Sequence, residues 1–183
     1  MVAQDWKIQP FLGLGSLKFG MSMDEVGNYN QLYGEVDSVF DDKATTEYSI
    51  QMLKENQAII PNSEELIKDL NETLGDVFEV RRKSDIKLTY RNKKLIGITV
   101  GQRNKEINID DIIIFSENQR GVVSKISNIY GKEKILGSDI LFENGGFILI
   151  GFASKDRNAE KFINIMTKEE IRKLSRESLD YGP

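Results

Sequence analysis

Among the residue types able to do chemistry, carboxylates dominate this chain, and they include two adjacent pairs, Asp41-Asp42 and Asp110-Asp111. Neighbouring acids hold a hard cation when further oxygen ligands follow at fixed spacing, and neither pair sits in a D-x-[DN]-x-[DN]-G-x₅-E loop. Adjacent acids otherwise mark turns and helix starts. The segment GLGSLKFG, with Gly13, Gly15 and Gly20, invites a phosphate-loop reading but is neither GxGxxG nor GxxxxGK[ST]. Its glycines read instead as bends in a strand ahead of a helix. Arg81-Arg82-Lys83 with Arg91, Lys93 and Lys94 flank an expected strand and turn. On a sheet, such a cationic strip more often protects an edge than contacts nucleic acid. Tyr29, Tyr33, Phe40 and Tyr48 stand among acids, the composition of a hot-spot patch facing a basic surface, although core packing is the better reading for Tyr29 and Phe40 and Tyr48 is less constrained.

What is missing narrows the chemistry further. The chain has no histidine and no cysteine, so it can hold no Ser-His-Asp triad, thiol nucleophile, disulfide or zinc ribbon. The expectation is a protein without catalysis of its own, without a cofactor and without an essential metal. A hydrolase built on two carboxylates stays open, as does a non-catalytic scaffold or assembly module.

The elements that must position these residues follow from period and punctuation. Ser22 with Glu25 forms a capping box ahead of Val26, Tyr29 and Tyr33, and Gly34 is placed to stop that helix. EVDSVF reads as a strand, and TEYSIQMLKENQAII fits either a helix or a strand. Asn62 with Glu65 makes a second box, followed by Leu66, Ile67, Leu70 and Leu74 on one face, predicting a helix over 63–74 with Glu64 and Glu65 exposed. From Val77 the period moves toward two: VFEVRRK, DIKLTY and LIGITV predict strands, with RNKK turning an antiparallel hairpin. EINIDDIIIF predicts a further strand, residues 117–131 a helix stopped by Gly131, and DILFENGGFILIGF a hairpin turning at Asn144-Gly145. KFINIM predicts a last strand, and Thr167 with Glu170 a third capping box for a helix running to about Glu177. No internal repeat is apparent. The expected fold is α+β: one domain over residues 1–183, a mostly antiparallel sheet with three to four helices packed on one face.

At 183 residues a chain buries roughly 70% of its unfolded surface and needs no staple. Asp5 and Lys7 interrupt any signal-peptide core, and no run of eighteen apolar residues follows, so a cytoplasmic address without membrane contact is expected. The net charge of −4 argues against general nucleic-acid binding. Its distribution is uneven. Residues 21–80 carry fourteen acids against three lysines, a local −11, which leaves +7 for the remainder. Solvated acidic helix faces would account for this, and so would a surface for a basic partner.

Two segments carry a resemblance. LGSLKFGMSMDEVGNYNQLYGEV is similar to the strand, GMS or GMT, capped helix and glycine element of small bacterial inhibitor and immunity-like proteins, including the fold of beta-lactamase inhibitor protein and the small outer-membrane assembly lipoproteins. Phe19-Gly20-Met21-Ser22 and Glu25-Val26 match it, whereas Gly34-Glu35-Val36 replaces the usual Gly-x-Pro. SDILFENGGFILIGF resembles a hairpin of single-domain proteins encoded beside polymorphic toxins, and the two segments span about a fifth of the chain. The resemblance implies an immunity protein of the contact-dependent-inhibition type that neutralises a cognate toxin domain, in a 1:1 complex with a monomer of this chain. It transfers no catalytic residues. Joined to the charge pattern, it makes Asp41, Asp42, Glu47, Tyr48, Glu64, Glu65, Asp69 and Glu72 the expected contacts to a basic, nuclease-type toxin domain.

Overall fold

A computed structural model describes residues 4–41, 43–73, 75–116, 118–156 and 158–180. The chain begins with a small antiparallel meander, β1 (Ile8–Gln9), β2 (Gly13–Leu14) and β3 (Leu17–Lys18). Its glycines serve turn geometry, as expected from their failure to match a phosphate loop. Gly15 has φ +51, and a Cβ there would lie 2.1 Å from the Asp5 carbonyl oxygen and 2.4 Å from Tyr33 Oη. The Ser22 capping box forms in full: Glu25 N donates to Ser22 Oγ at 3.3 Å and Ser22 N donates to Glu25 Oε2 at 2.7 Å. The expected single helix is nevertheless broken into α1 (Met23–Gly27) and α2 (Asn30–Tyr33), parted just after Gly27, the residue least suited to propagate a helix.

Strand β4 (Ser38–Asp41) leads into an insertion of two helices, α3 (Lys43–Glu55) and α4 (Ser63–Thr73). The ambiguous stretch after Thr45 is thus helical as far as Glu55, with Thr46 and Ile50 buried one turn apart, and residues 56–60 form turns and a bend. The helix expected over 63–74 is present to Thr73, residue 74 lying outside the described residues. Its capping box is not made, because Asn62 sits at φ +57 rather than in the extended geometry a capping residue takes.

Next come β5 (Val77–Arg81), β6 (Ile86–Arg91) and β7 (Lys94–Gly101). The β6–β7 turn places Asn92 at φ 50 and Lys93 at φ 63, the double positive φ that matches strand twist in a two-residue hairpin. EINIDDIIIF is not one strand. It folds back at Asp110 (φ 44) and Asp111 (φ 64), giving the short pair β8 (Asn108–Ile109) and β9 (Ile112–Ile113), so this acid pair turns the chain. Helix α5 (Gln119–Tyr130) starts at Asn118, whose side chain accepts from Gly121 N, and stops at Gly131. The chain ends through β10 (Lys134–Leu136), β11 (Asp139–Phe142), β12 (Phe147–Ile150), β13 (Phe162–Met166) and α6 (Lys168–Asp180). The β11–β12 hairpin is present, but Glu143–Gly145 form a single 3-10 turn and the left-handed residue is Gly146, not Gly145.

Eight strands form one antiparallel sheet in the order β10-β11-β12-β13-β7-β6-β5-β4. Read inward from either edge, the order is four consecutive strands. Two four-stranded meanders therefore meet at β7–β13, where Ile98 opposes Ile165 and Val100 opposes Ile163. This architectural repeat was invisible in the sequence because the α3–α4 insertion interrupts only the first meander. One sheet face buries Ile86, Leu88, Ile98, Leu149 and Ile165 against the N-terminal meander, Val26 of α1, Tyr33 of α2 and Val122 and Ile126 of α5. The other buries Leu141, Ile148 and Met166 against Ile171 of α6. The fold is α+β with six α-helices among the described residues, and they lie on both faces rather than one.

Candidate partner-binding surface

The acids of residues 21–80 divide by location into two groups. Those of β5 and its surroundings turn inward. Asp76 accepts from Arg91 Nε and Nη2, both at 2.9 Å. Glu79 accepts from Arg81 Nη2 at 3.1 Å and from Tyr90 Oη at 3.0 Å. Arg81, fully buried, also donates to Asn30 Oδ1 at 2.8 Å and to the Gly34 carbonyl at 2.6 Å, locking α2 onto the sheet. Outside β5, Glu25 serves the first capping box, Glu35 accepts from Asn30 at 2.9 Å, and Asp37 accepts from Arg82 N. Hydrogen bonds from Ser22 hold the Glu25 carboxyl below the usual carboxylate range. The expected cationic strip is dismantled by the same contacts, since Arg81 and Arg91 are consumed by buried carboxylates.

The second group is concentrated between Asp41 and Thr73. Eight acids stand there against Lys43, Lys54 and Lys68, a local −5. This is the α3–α4 insertion with the end of β4, which is an edge strand of the sheet. The two helices pack chiefly on each other. Helix α3 buries Thr46 and Ile50, and among the described side chains of α4 Ser63 is the buried one.

Of the expected contact residues, Asp41, Glu47, Tyr48, Glu64, Glu65 and Asp69 are all exposed. Glu47 reaches Lys43 Nζ at 3.9 Å, one helical turn back and well exposed, so the pair holds little energy. Asp42 and the Glu72 side chain lie outside the described residues.

Apolar side chains here correct the sequence reading. Phe40 and Leu66, expected in the core, are 47% and 40% exposed. Phe40 stacks on Phe78 at 5.1 Å between ring centroids. Tyr48, Met52, Ile59 and Val39 are also exposed, so large apolar side chains share this segment's surface with its acids. A signal existed in the sequence. On α3, Thr46, Ile50 and Leu53 mark one side, while Tyr48 and Met52 recur four apart on the opposite side, giving a helix with two apolar stripes and a single core to bury them.

The described residues contain no cluster of three or more carboxylates suited to a metal ion, and no helix among them is long and apolar enough to cross a membrane. Comparisons of the chain with protein-family models, with curated proteins and with solved structures found no match.

Proposed function

We propose that this chain is an immunity-type inhibitor that binds a basic, nuclease-like toxin domain through the α3–α4 insertion and covers its active site. The observation that carries the reading is the insertion itself: the two-helix segment, with the end of β4, has net −5 and exposes Tyr48, Met52, Ile59 and Leu66. Scattered exposed leucines are ordinary. Several large exposed apolar groups together with an excess of acids, on helices that contribute little to the core, are the composition of an interface rather than of a solvated face. The acids supply long-range attraction to a cationic cleft, and the apolar groups supply the area buried on contact. An inhibitor of this kind needs neither histidine nor cysteine.

The test is co-expression with the product of the gene adjacent to its own. Growth arrest by that product alone, relieved by this chain, together with a 1:1 complex in light scattering, supports the reading. A harmless neighbour, or arrest that this chain leaves untouched, rejects it.

A further inference from the structure

The second sheet face is only half covered. Helix α6 packs over Leu141, Ile148 and Met166, and among the described residues no second buried apolar cluster lies over the same face of β5–β7. A cavity of about 510 Å³ opens there. One cross-strand row, Val80, Lys87, Thr99 and Asn164, runs through it over β5, β6, β7 and β13. Paired residues on antiparallel strands share a face, so all four project the same way. Ile150 and Phe162 extend the apolar part of the lining.

The charge around this cavity is one-sided. Arg82, Lys87 and Arg103 line it, and the single lining carboxylate, Asp85, is already engaged by Arg103, accepting from Nη2 at 2.8 Å and from the backbone N–H at 3.0 Å. Lys87 makes no ion pair among the described residues; its ammonium lies 5.3 Å from the Phe78 ring centroid. Thr99 Oγ1 donates to Asn164 Oδ1 at 3.4 Å, which leaves the Asn164 amide NH₂ to donate into the cavity. The size falls within the range of small-ligand sites, and the lining combines apolar side chains with cationic and amide donors.

We propose that this cavity binds a small amphipathic anion, its carboxylate, sulfonate or phosphate head held by Lys87 and the Asn164 amide and its apolar body seated on Val80, Ile150 and Phe162. Phosphate alone would use the cations and forgo the apolar floor; a neutral apolar ligand would leave Lys87 without a counter-charge. No residue of α3 or α4 lines the cavity, so the site stands whether or not the insertion binds a toxin.

The probe is 1-anilinonaphthalene-8-sulfonate, followed by fluorescence and calorimetry. One saturable site is expected, weakened about tenfold or more by Lys87→Glu, a change on an exposed side chain that leaves the core intact. The neutral N-phenyl-1-naphthylamine is expected to bind at least about tenfold more weakly. Tyr48→Ser with Met52→Ser, on the insertion, is expected to leave the affinity unchanged. Decanoate and phenyl phosphate serve as competitors: displacement by decanoate alone assigns an acyl anion, and displacement by phenyl phosphate alone an aryl one. Unaltered affinity in Lys87→Glu, loss of binding in the Tyr48→Ser/Met52→Ser variant, or displacement by neither competitor overturns the proposal.

Discussion

Arg91 Nη1 donates to Glu170 Oε1 at 2.8 Å while the other edge of the same guanidinium holds Asp76, so a single side chain ties the end of β6 to the chain before β5 and to the first turn of α6. The Glu170 carboxylate that the sequence assigned to a capping box is spent on this contact. Only half of that box forms, Glu170 N donating to Thr167 Oγ1 at 3.3 Å. The consequence is that α6 is anchored across the sheet as well as at its own start.

Arg91→Ala is expected to lower stability by about 3 kcal/mol, because it strands Asp76, which is only 5% exposed, without its partner. Glu170→Gln keeps the shape and leaves Asp76 paired, so about 1 kcal/mol is expected. Urea denaturation of both variants checks the order; equal losses would mean that the Asp76 pair is not the anchor.

Gly15→Ala is expected to cost at least about 2 kcal/mol, since the new methyl group meets backbone at 2.1 Å in a conformation that disfavours side chains. Gly20→Ala meets nothing within 4 Å and carries the φ penalty alone. Thermal denaturation of the pair separates collision from backbone strain.

Burial pushes the phenols of Tyr33, Tyr90 and Tyr130 above the ordinary tyrosine value, with Glu79 adding to the effect at Tyr90 and Asp110 at Tyr130. A proton held more tightly in the folded state contributes stability below the unfolded value of about 10 and loses it as pH rises beyond. Alkaline unfolding should therefore coincide with the ionisation of these three phenols, followed together by ultraviolet absorbance and circular dichroism. Smooth titration of all six tyrosines in a chain that stays folded would contradict this.

Glu143 shows the opposite sign. Hydrogen bonds from Lys134 and then Ser175 hold its carboxyl below the usual carboxylate range, joining β10 and α6 through the β11–β12 turn. Its contribution is present above the unfolded value of about 4.5 and is lost as pH falls below it. Glu143→Gln should be less stable than the parent by under about 1 kcal/mol at neutral pH, given the exposure of the pair, and indistinguishable from it in strong acid. A difference that persists in acid would assign the effect to packing.

Local punctuation was legible in the sequence because it is local chemistry: Ser22 with Glu25, Asn92-Lys93, Gly131 and the strand periods all act within a few residues. The errors share a cause. Leu66 and Phe40 were placed inside because periodicity reports which residues share a face and not whether anything lies against it. Arg81 and Arg91 looked like a surface strip because sequence does not show that a charged side chain turns inward to a partner, Arg81 to Glu79 and Asn30 and Arg91 to Asp76 and Glu170. The charge excess of residues 21–80 overstated the acidic surface for the same reason, since Asp76 and Glu79 face inward to those arginines. The two-meander sheet depends on β7 meeting β13, a pairing no window of sequence contains.

The most direct measurement of the central claim is association kinetics between the adjacent gene's toxin domain and a variant with Asp41→Lys, Glu65→Lys and Asp69→Lys. All three residues are exposed, and none makes an ion pair or side-chain hydrogen bond among the described residues, so the fold should be unchanged. Electrostatic steering onto the insertion predicts an association rate constant lower by about tenfold or more at low salt, a gap that closes as salt is raised, and a dissociation rate constant changed far less. Association and dissociation both unaltered in the triple variant would remove the α3–α4 insertion from the interface.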